Sequence, residues 1–151
     1  MMDGLEGAVR AYVGASMTGD ALSLREAAWD WADPDVLLQP EEAAGPLIGR
    51  GAITAYWAAS RGGLRDLAST LSDLTLTPLG EGLASAAYRM DWRATFAGGL
   101  YDGLTVAGEN RVLAYWRRRD GVWRLFRLIE APLSPLREIR LASQNAYKTR
   151  N

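Results

Sequence analysis

A change of hydrophobic period near Gly62-Gly63 constrains this chain more than any other feature. Upstream, Leu5, Ala8, Val9, Tyr12, Val13 and Met17 recur at three-four spacing, which gives a helix one mostly apolar face up to a stop at Gly19. Asp20 can then cap a second helix from Ala21 to about Trp31, which Pro34 ends. A third helix from about Gly51 to Ser60 places Ile53, Tyr56 and Trp57 at helical spacing. Between the second and third, Val36 to Gln39 reads as a short strand closed by Pro40, and Glu41 to Gly51 as a turn-rich loop.

Downstream the period becomes two. Leu67 to Leu79, Leu83 to Phe96, Thr105 to Arg118 and Val122 to Ile129 read as strands. They are separated by Gly80-Glu81-Gly82, Ala97-Gly98-Gly99 and Asp120-Gly121, residues that accept positive φ or tight hairpin geometry. After Pro132 and Pro135, Leu136 to about Ala146 reads as a C-terminal helical segment. The expected fold is α+β, a cone-shaped barrel in which three N-terminal helices pack inside a strongly curved antiparallel sheet and leave a pocket. With 151 residues, an apolar fraction of 48% and no internal linker, one domain is expected over 1–151, with 132–151 as its helical tail.

Two absences narrow the chemistry. The chain has no cysteine and no histidine, which removes disulfides, thiolate nucleophiles, imidazole bases and common zinc sites. Proton transfer then falls to Asp, Glu, Tyr, Lys or ordered water, and neither a metal nor a cofactor is expected. A net charge of -1 gives no field to gather nucleic acid or an anionic membrane. The acidic start Met1-Met2-Asp3-Gly4 lacks the apolar core of a signal peptide. A soluble, cytoplasmic protein is the expectation.

Tyr12 followed by Thr18-Gly19-Asp20, then Trp31-Ala32-Asp33-Pro34-Asp35, Gly49-Arg50-Gly51-Ala52-Ile53 and Arg119-Asp120-Gly121-Val122-Trp123, in that order and spacing, resemble the nuclear transport factor 2-like superfamily. The resemblance runs from about Val9 to Glu130 and lies in the SnoaL-like, limonene-epoxide-hydrolase-like and ketosteroid-isomerase-like branch. It implies a hydrophobic polyketide- or terpenoid-like ligand, cofactor-free acid/base chemistry, and a homodimer formed through the outer face of the sheet.

Against the ketosteroid isomerases, Tyr12 matches an oxyanion-binding tyrosine, but Gln39 stands where the catalytic aspartate falls, so that mechanism lacks its base. Tyr12 also reads as a core aromatic with a satisfied hydroxyl. Against the limonene-epoxide hydrolases, Arg89-Met90-Asp91 has the Arg-x-Asp spacing and Gln39 stands at the amide. The tyrosine beside the amide is Leu37, and the second acid aligns with Leu128, leaving Glu130 two residues on as the same-face substitute. The resemblance thus implies Asp91, Arg89, Glu130 and Tyr12 as catalytic residues, with Gln39, Tyr56, Trp57, Asn110, Trp116 and Phe126 as ligand contacts. Epoxide hydrolysis or epoxide-opening cyclisation is the first reaction implied, with isomerisation and dehydration beside it. A non-catalytic binding protein or a shape-templating cyclase is the alternative.

Strand parity leaves a choice open. Arg89, Asp91, Arg93 and Thr95 alternate with Tyr88, Met90, Trp92, Ala94 and Phe96, and only one set can face the cone. Burial energetics favour the aromatic set, while catalysis by Asp91 needs the other. Asn110 reads as inward. Arg117-Arg118-Arg119 reads as a solvated hairpin tip, and Glu41-Glu42 as a solvated loop where a pocket mouth would be.

Overall fold

The computed structural model describes residues 2–15, 21–132 and 142–144. Helix α1 covers Leu5–Gly14, α2 Ala21–Ala28 and α3 Arg50–Gly62. The strands are β1 (Leu37–Gln39), β2 (Leu47–Ile48), β3 (Leu64–Gly80), β4 (Leu83–Phe96), β5 (Thr105–Arg119) and β6 (Val122–Pro132). The expected stop at Gly19-Asp20 and most of the C-terminal helical segment lie outside the described residues; residues 142–144 are helical.

Six strands form one mixed sheet in the order β2-β1-β6-β5-β4-β3. The meander β3 to β6 is antiparallel, and β1 adds to β6 in parallel, with Leu38 opposite Leu128. The two-residue strand β2 pairs with β1 inside the segment that reads as loop in the sequence. Helix α2 ends three residues short of Trp31 because the sheet captures the chain: Trp29 bridges to Leu125, and the Asp30 amide donates to the Leu125 carbonyl at 2.8 Å. The hairpin between β5 and β6 turns on Asp120 (φ 53°) and Gly121 (φ 77°), the paired positive dihedrals that a two-residue type I′ turn requires.

Two of the register shifts lie within the strands, away from their ends. In β3 the register shifts between Ser72 and Thr75, with Asp73 at φ 55°. In β6 the register shifts so that Tyr115 faces Arg127 while Trp116 faces Leu125, which leaves Phe126 as one extra residue. Such a bulge reverses side-chain parity along the strand. Trp123 and Leu125 point inward before it, and Leu128 and Glu130 point inward after it.

The concave face of the sheet carries Ala84, Ala86 and Tyr88 from β4 and Val112, Ala114 and Trp116 from β5, all buried. They pack against Leu5, Val9 and Val13 of α1 and Ile53 and Trp57 of α3. Each large apolar side chain buried this way stabilises the fold by about 1.5–3 kcal/mol. Trp29, Trp31 and Trp57 add an aromatic cluster with ring centroids 5.6–6.1 Å apart. Small alanines bring the sheet close to the helices at this end, whereas the Met90 to Phe96 end of β4 faces a hollow.

The basic residues at the hairpin tip are engaged rather than merely solvated. Arg119 grips the buried Asp30 carboxylate with two bonds of 2.9 and 2.8 Å, and Arg117 bridges Asp30 and Asp33 at 3.5 and 3.1 Å. Arg118 lies over the Trp123 ring. Among the described residues no helix is long and apolar enough to cross a membrane.

Candidate active site

The hollow is a cavity of about 570 Å³ between the helices and the curved sheet. Its wall is mostly apolar: Leu38, Trp57, Leu64, Leu67, Met90, Trp92, Ala94, Phe96 and Val106 line it. Met90 pairs with Asn110 and Trp92 with Gly108 across β4 and β5, so the aromatic set of β4 faces the cone. The indole of Trp92 lies flat over Gly108, where a Cβ would come within 2.5 Å of the ring.

Polar groups gather at one end. Tyr12 arrives from the end of α1, Arg25 from α2, Glu41 and Glu42 from the loop after β1, Tyr56 and Ser60 from α3, Asn110 from β5 and Glu130 from β6. The Phe126 bulge aims Glu130 inward, since strict alternation from Trp123 and Leu125 would have placed Arg127 and Ile129 there instead. Burial pushes the Glu130 carboxyl up from 4.5 to about 7; the Glu42 carboxylate adds to this, and Arg25 and a bond from the Glu41 backbone amide oppose it. A carboxyl with that value exchanges a proton readily at neutral pH.

Asn110 is only 2% exposed. Its amide nitrogen lies 3.3 Å from Glu41 Oε2 and 3.5 Å from Glu130 Oε2. Its Oδ1 is buried and has no hydrogen-bond partner among the described residues. Tyr12 accepts a 3.3 Å bond from the Trp29 indole N–H, and the Arg25 guanidinium stands 5.0 Å from its ring. Burial raises the Tyr12 pKa against the opposing pull of Arg25, so the phenol stays protonated and keeps its hydrogen to donate. Tyr56 donates to Glu42, and burial together with that bond raises its pKa as well. Among the described residues no group of three carboxylates is placed to hold a metal ion.

Tyr12, Tyr56, Trp57, Asn110 and Glu130 therefore share the cavity. Five other residues singled out in the sequence do not. Arg89 and Asp91 point to the convex face, where Arg89 pairs with Glu109 at 2.5 Å and approaches Asp91 at 3.7 Å. Putting Met90 and Trp92 inside excludes their neighbours, so a proton-transfer role in the cone for Arg89 or Asp91 is corrected. Gln39 turns away and donates to the Pro40 and Ala43 carbonyls at 3.1 and 3.0 Å, which fixes the loop carrying Glu41 and Glu42. Trp116 is 1% exposed and packs edge-on against Tyr12 at 6.3 Å, within the core rather than on the cavity wall. Phe126, extruded by the bulge, sits outside beneath the Arg117 guanidinium at 3.9 Å.

Arg25 and the pair Glu41-Glu42 complete the polar end. The position of Glu41-Glu42 on a Pro/Gly loop beside the expected mouth was a usable signal; nothing along α2 marks Arg25, whose direction depends on how α2 packs.

A curved sheet wrapped around three helices, with a partly apolar cavity between them, is a fold this chain shares with solved structures of the nuclear transport factor 2-like superfamily. A superfamily protein from Salmonella enterica superposes with a TM-score of 0.73 at 13% identity, over 86% of this chain and 89% of that one. A candidate dehydratase of the same family from Streptomyces avermitilis gives 0.73 at 18% identity, over 88% and 97%. A type 2 hexachlorocyclohexane dehydrochlorinase (LinA) gives 0.66 at 13% identity, over 86% of each chain. No family model and no curated protein matches the chain by sequence.

Proposed function

We propose that the protein is a cofactor-free small-molecule enzyme in which Glu130 moves a proton on a hydrophobic ligand held in the cone. One observation carries this reading: the bulge turns the Glu130 carboxyl into a cavity with a mostly apolar wall, where burial pushes its pKa up to about 7. The ionised form can take a proton from carbon, and the neutral form can return it or protonate a leaving oxygen. Tyr12 supplies a hydrogen-bond donor to a substrate oxygen as charge develops there.

Isomerisation or dehydration needs only that pair. Epoxide hydrolysis or epoxide-opening cyclisation needs a second carboxyl, and with Asp91 on the convex face this role falls to Glu41, across the Asn110 amide from Glu130. We therefore rank single-carboxyl proton transfer first and epoxide opening by Glu130 and Glu41 second. The cavity volume of about 570 Å³ and its aromatic wall suit a polyketide- or terpenoid-sized skeleton.

Turnover assays on cyclic enones, β-hydroxy ketones and epoxides test the proposal. Glu130→Gln should lower kcat about 100-fold or more while ligand binding persists, and unchanged kcat would remove Glu130 from the chemistry. Binding without turnover by the unaltered protein would make the cone a binding or shape-templating pocket. The same reading includes a homodimer through the convex face, where Leu113 and Ile129 are 36% and 40% exposed. Light scattering that shows a monomer would end that part.

A further inference from the structure

The polar end of the cavity is unevenly charged. Glu41, Glu42 and Glu130 line it, and Arg25 is the one cation among the described lining residues. Arg25 Nε donates to the Ala15 carbonyl at 2.8 Å, and its guanidinium faces the Tyr12 ring. An anionic ligand entering here would meet three carboxyl groups.

The second observation is independent of charge. Asn110 is buried to 2% exposure on the cavity wall, and its Oδ1 receives no hydrogen bond from any described residue. A buried carbonyl oxygen left this way is costly unless a donor reaches it. Its own amide nitrogen already faces Glu41 and Glu130, so the missing partner has to be a donor. The surrounding walls, Tyr56, Trp57, Trp92 and Phe96, present aromatic rings that tolerate a cation and exclude water from its hydrocarbon part.

We infer that the ligand of this cone is an apolar molecule ending in a protonated amine, whose ammonium hydrogens are received by Asn110 Oδ1 and the Glu41 and Glu42 carboxylates. An ammonium offers three donors and no acceptor, which matches this set of acceptors. A hydroxyl could satisfy Asn110 but would bring no positive charge to the three carboxyl groups. The inference deepens the proposed function and rests on the cone being its ligand site. Its consequence for Glu130 follows from Coulomb's law: a cation beside it, facing Tyr12, Arg25, Glu41, Glu42 and Tyr56, favours the ionised carboxylate and so prepares the base.

Calorimetric titration of the full chain with 4-phenylbutylamine, 4-phenylbutanol and 5-phenylpentanoate tests the inference, since the three share a phenylbutyl chain and differ only in the terminal group. The amine should bind about tenfold or more tightly than the alcohol, and the carboxylate should bind weakest. Glu41→Gln, an exposed position that threatens folding little, should weaken the amine about fivefold and leave the alcohol unchanged. Asn110→Asp should tighten the amine, whereas Asn110→Leu should weaken it. Equal binding of amine and alcohol, a preference for the carboxylate, or no response of the amine to Glu41→Gln would each overturn the cationic ligand while leaving the cone as a binding site. Failure of all three compounds to bind would overturn the cone reading as well.

Discussion

Glu130→Gln should make the protein more stable in mild alkali and remove most of its pH dependence near neutrality. Folding raises the Glu130 pKa from 4.5 to about 7, so between those values the folded state binds more protons than the unfolded chain. Stability is therefore fully present below the unfolded value and is lost as pH rises through the folded one. At 1.36 kcal/mol per pH unit the full loss is about 3 kcal/mol. Between about pH 5.5 and about pH 8.5 some 2 kcal/mol of it should be visible. The chain has no histidine to titrate in that window, so the signal is unusually clean. Urea unfolding followed by tryptophan fluorescence at the two pH values measures it for both proteins. The natural protein should lose about 2 kcal/mol and the Gln variant should stay nearly flat. Parallel profiles would show that Glu130 is not held in a desolvated, carboxylate-rich setting, and the base assigned to the cone would go with it.

Gly108→Ala places a methyl against the Trp92 indole, within 2.5 Å, so the ring must swing into the cavity; thermal or urea unfolding should show a loss of about 1–3 kcal/mol, and ligand affinity should fall with ligand size. Asp30→Ala leaves Arg119 and Arg117 without their buried partner. Because both arginines keep contact with solvent, the cost should be about 1–3 kcal/mol in urea unfolding, well short of a fully buried pair. Tyr12→Phe should reduce kcat about tenfold to hundredfold while changing stability by about 1 kcal/mol, the value of the Trp29 hydrogen bond.

Much of the architecture is written in local spacing. The four strands of the meander and the Asp120-Gly121 turn follow from period two and from residues that accept positive φ, and α3 follows from Ile53, Tyr56 and Trp57. Parity is less legible, because either face of Tyr88 to Phe96 makes a regular strand and only the packing of the helices selects the aromatic one. The bulge at Phe126 leaves no mark in β6 itself; it appears only in the pairing with β5, where Tyr115 faces Arg127 and Trp116 faces Leu125. The same holds for Asp30, whose partners lie 87 and 89 positions away in the sequence numbering of Arg117 and Arg119. Of the candidate site, Tyr12, Glu130 and Asn110 were visible from sequence, and Arg25 was not.

The extra residue in β6 amounts to a one-position switch for chemistry. With it accommodated as a bulge, an acid looks into the hollow and arginine looks out; with the same residues in strict alternation, Arg127 would face the guest and Glu130 the solvent. A hairpin that kept every residue but lost the bulge would therefore retain every strand and still invert the sign of the charge that a guest molecule encounters.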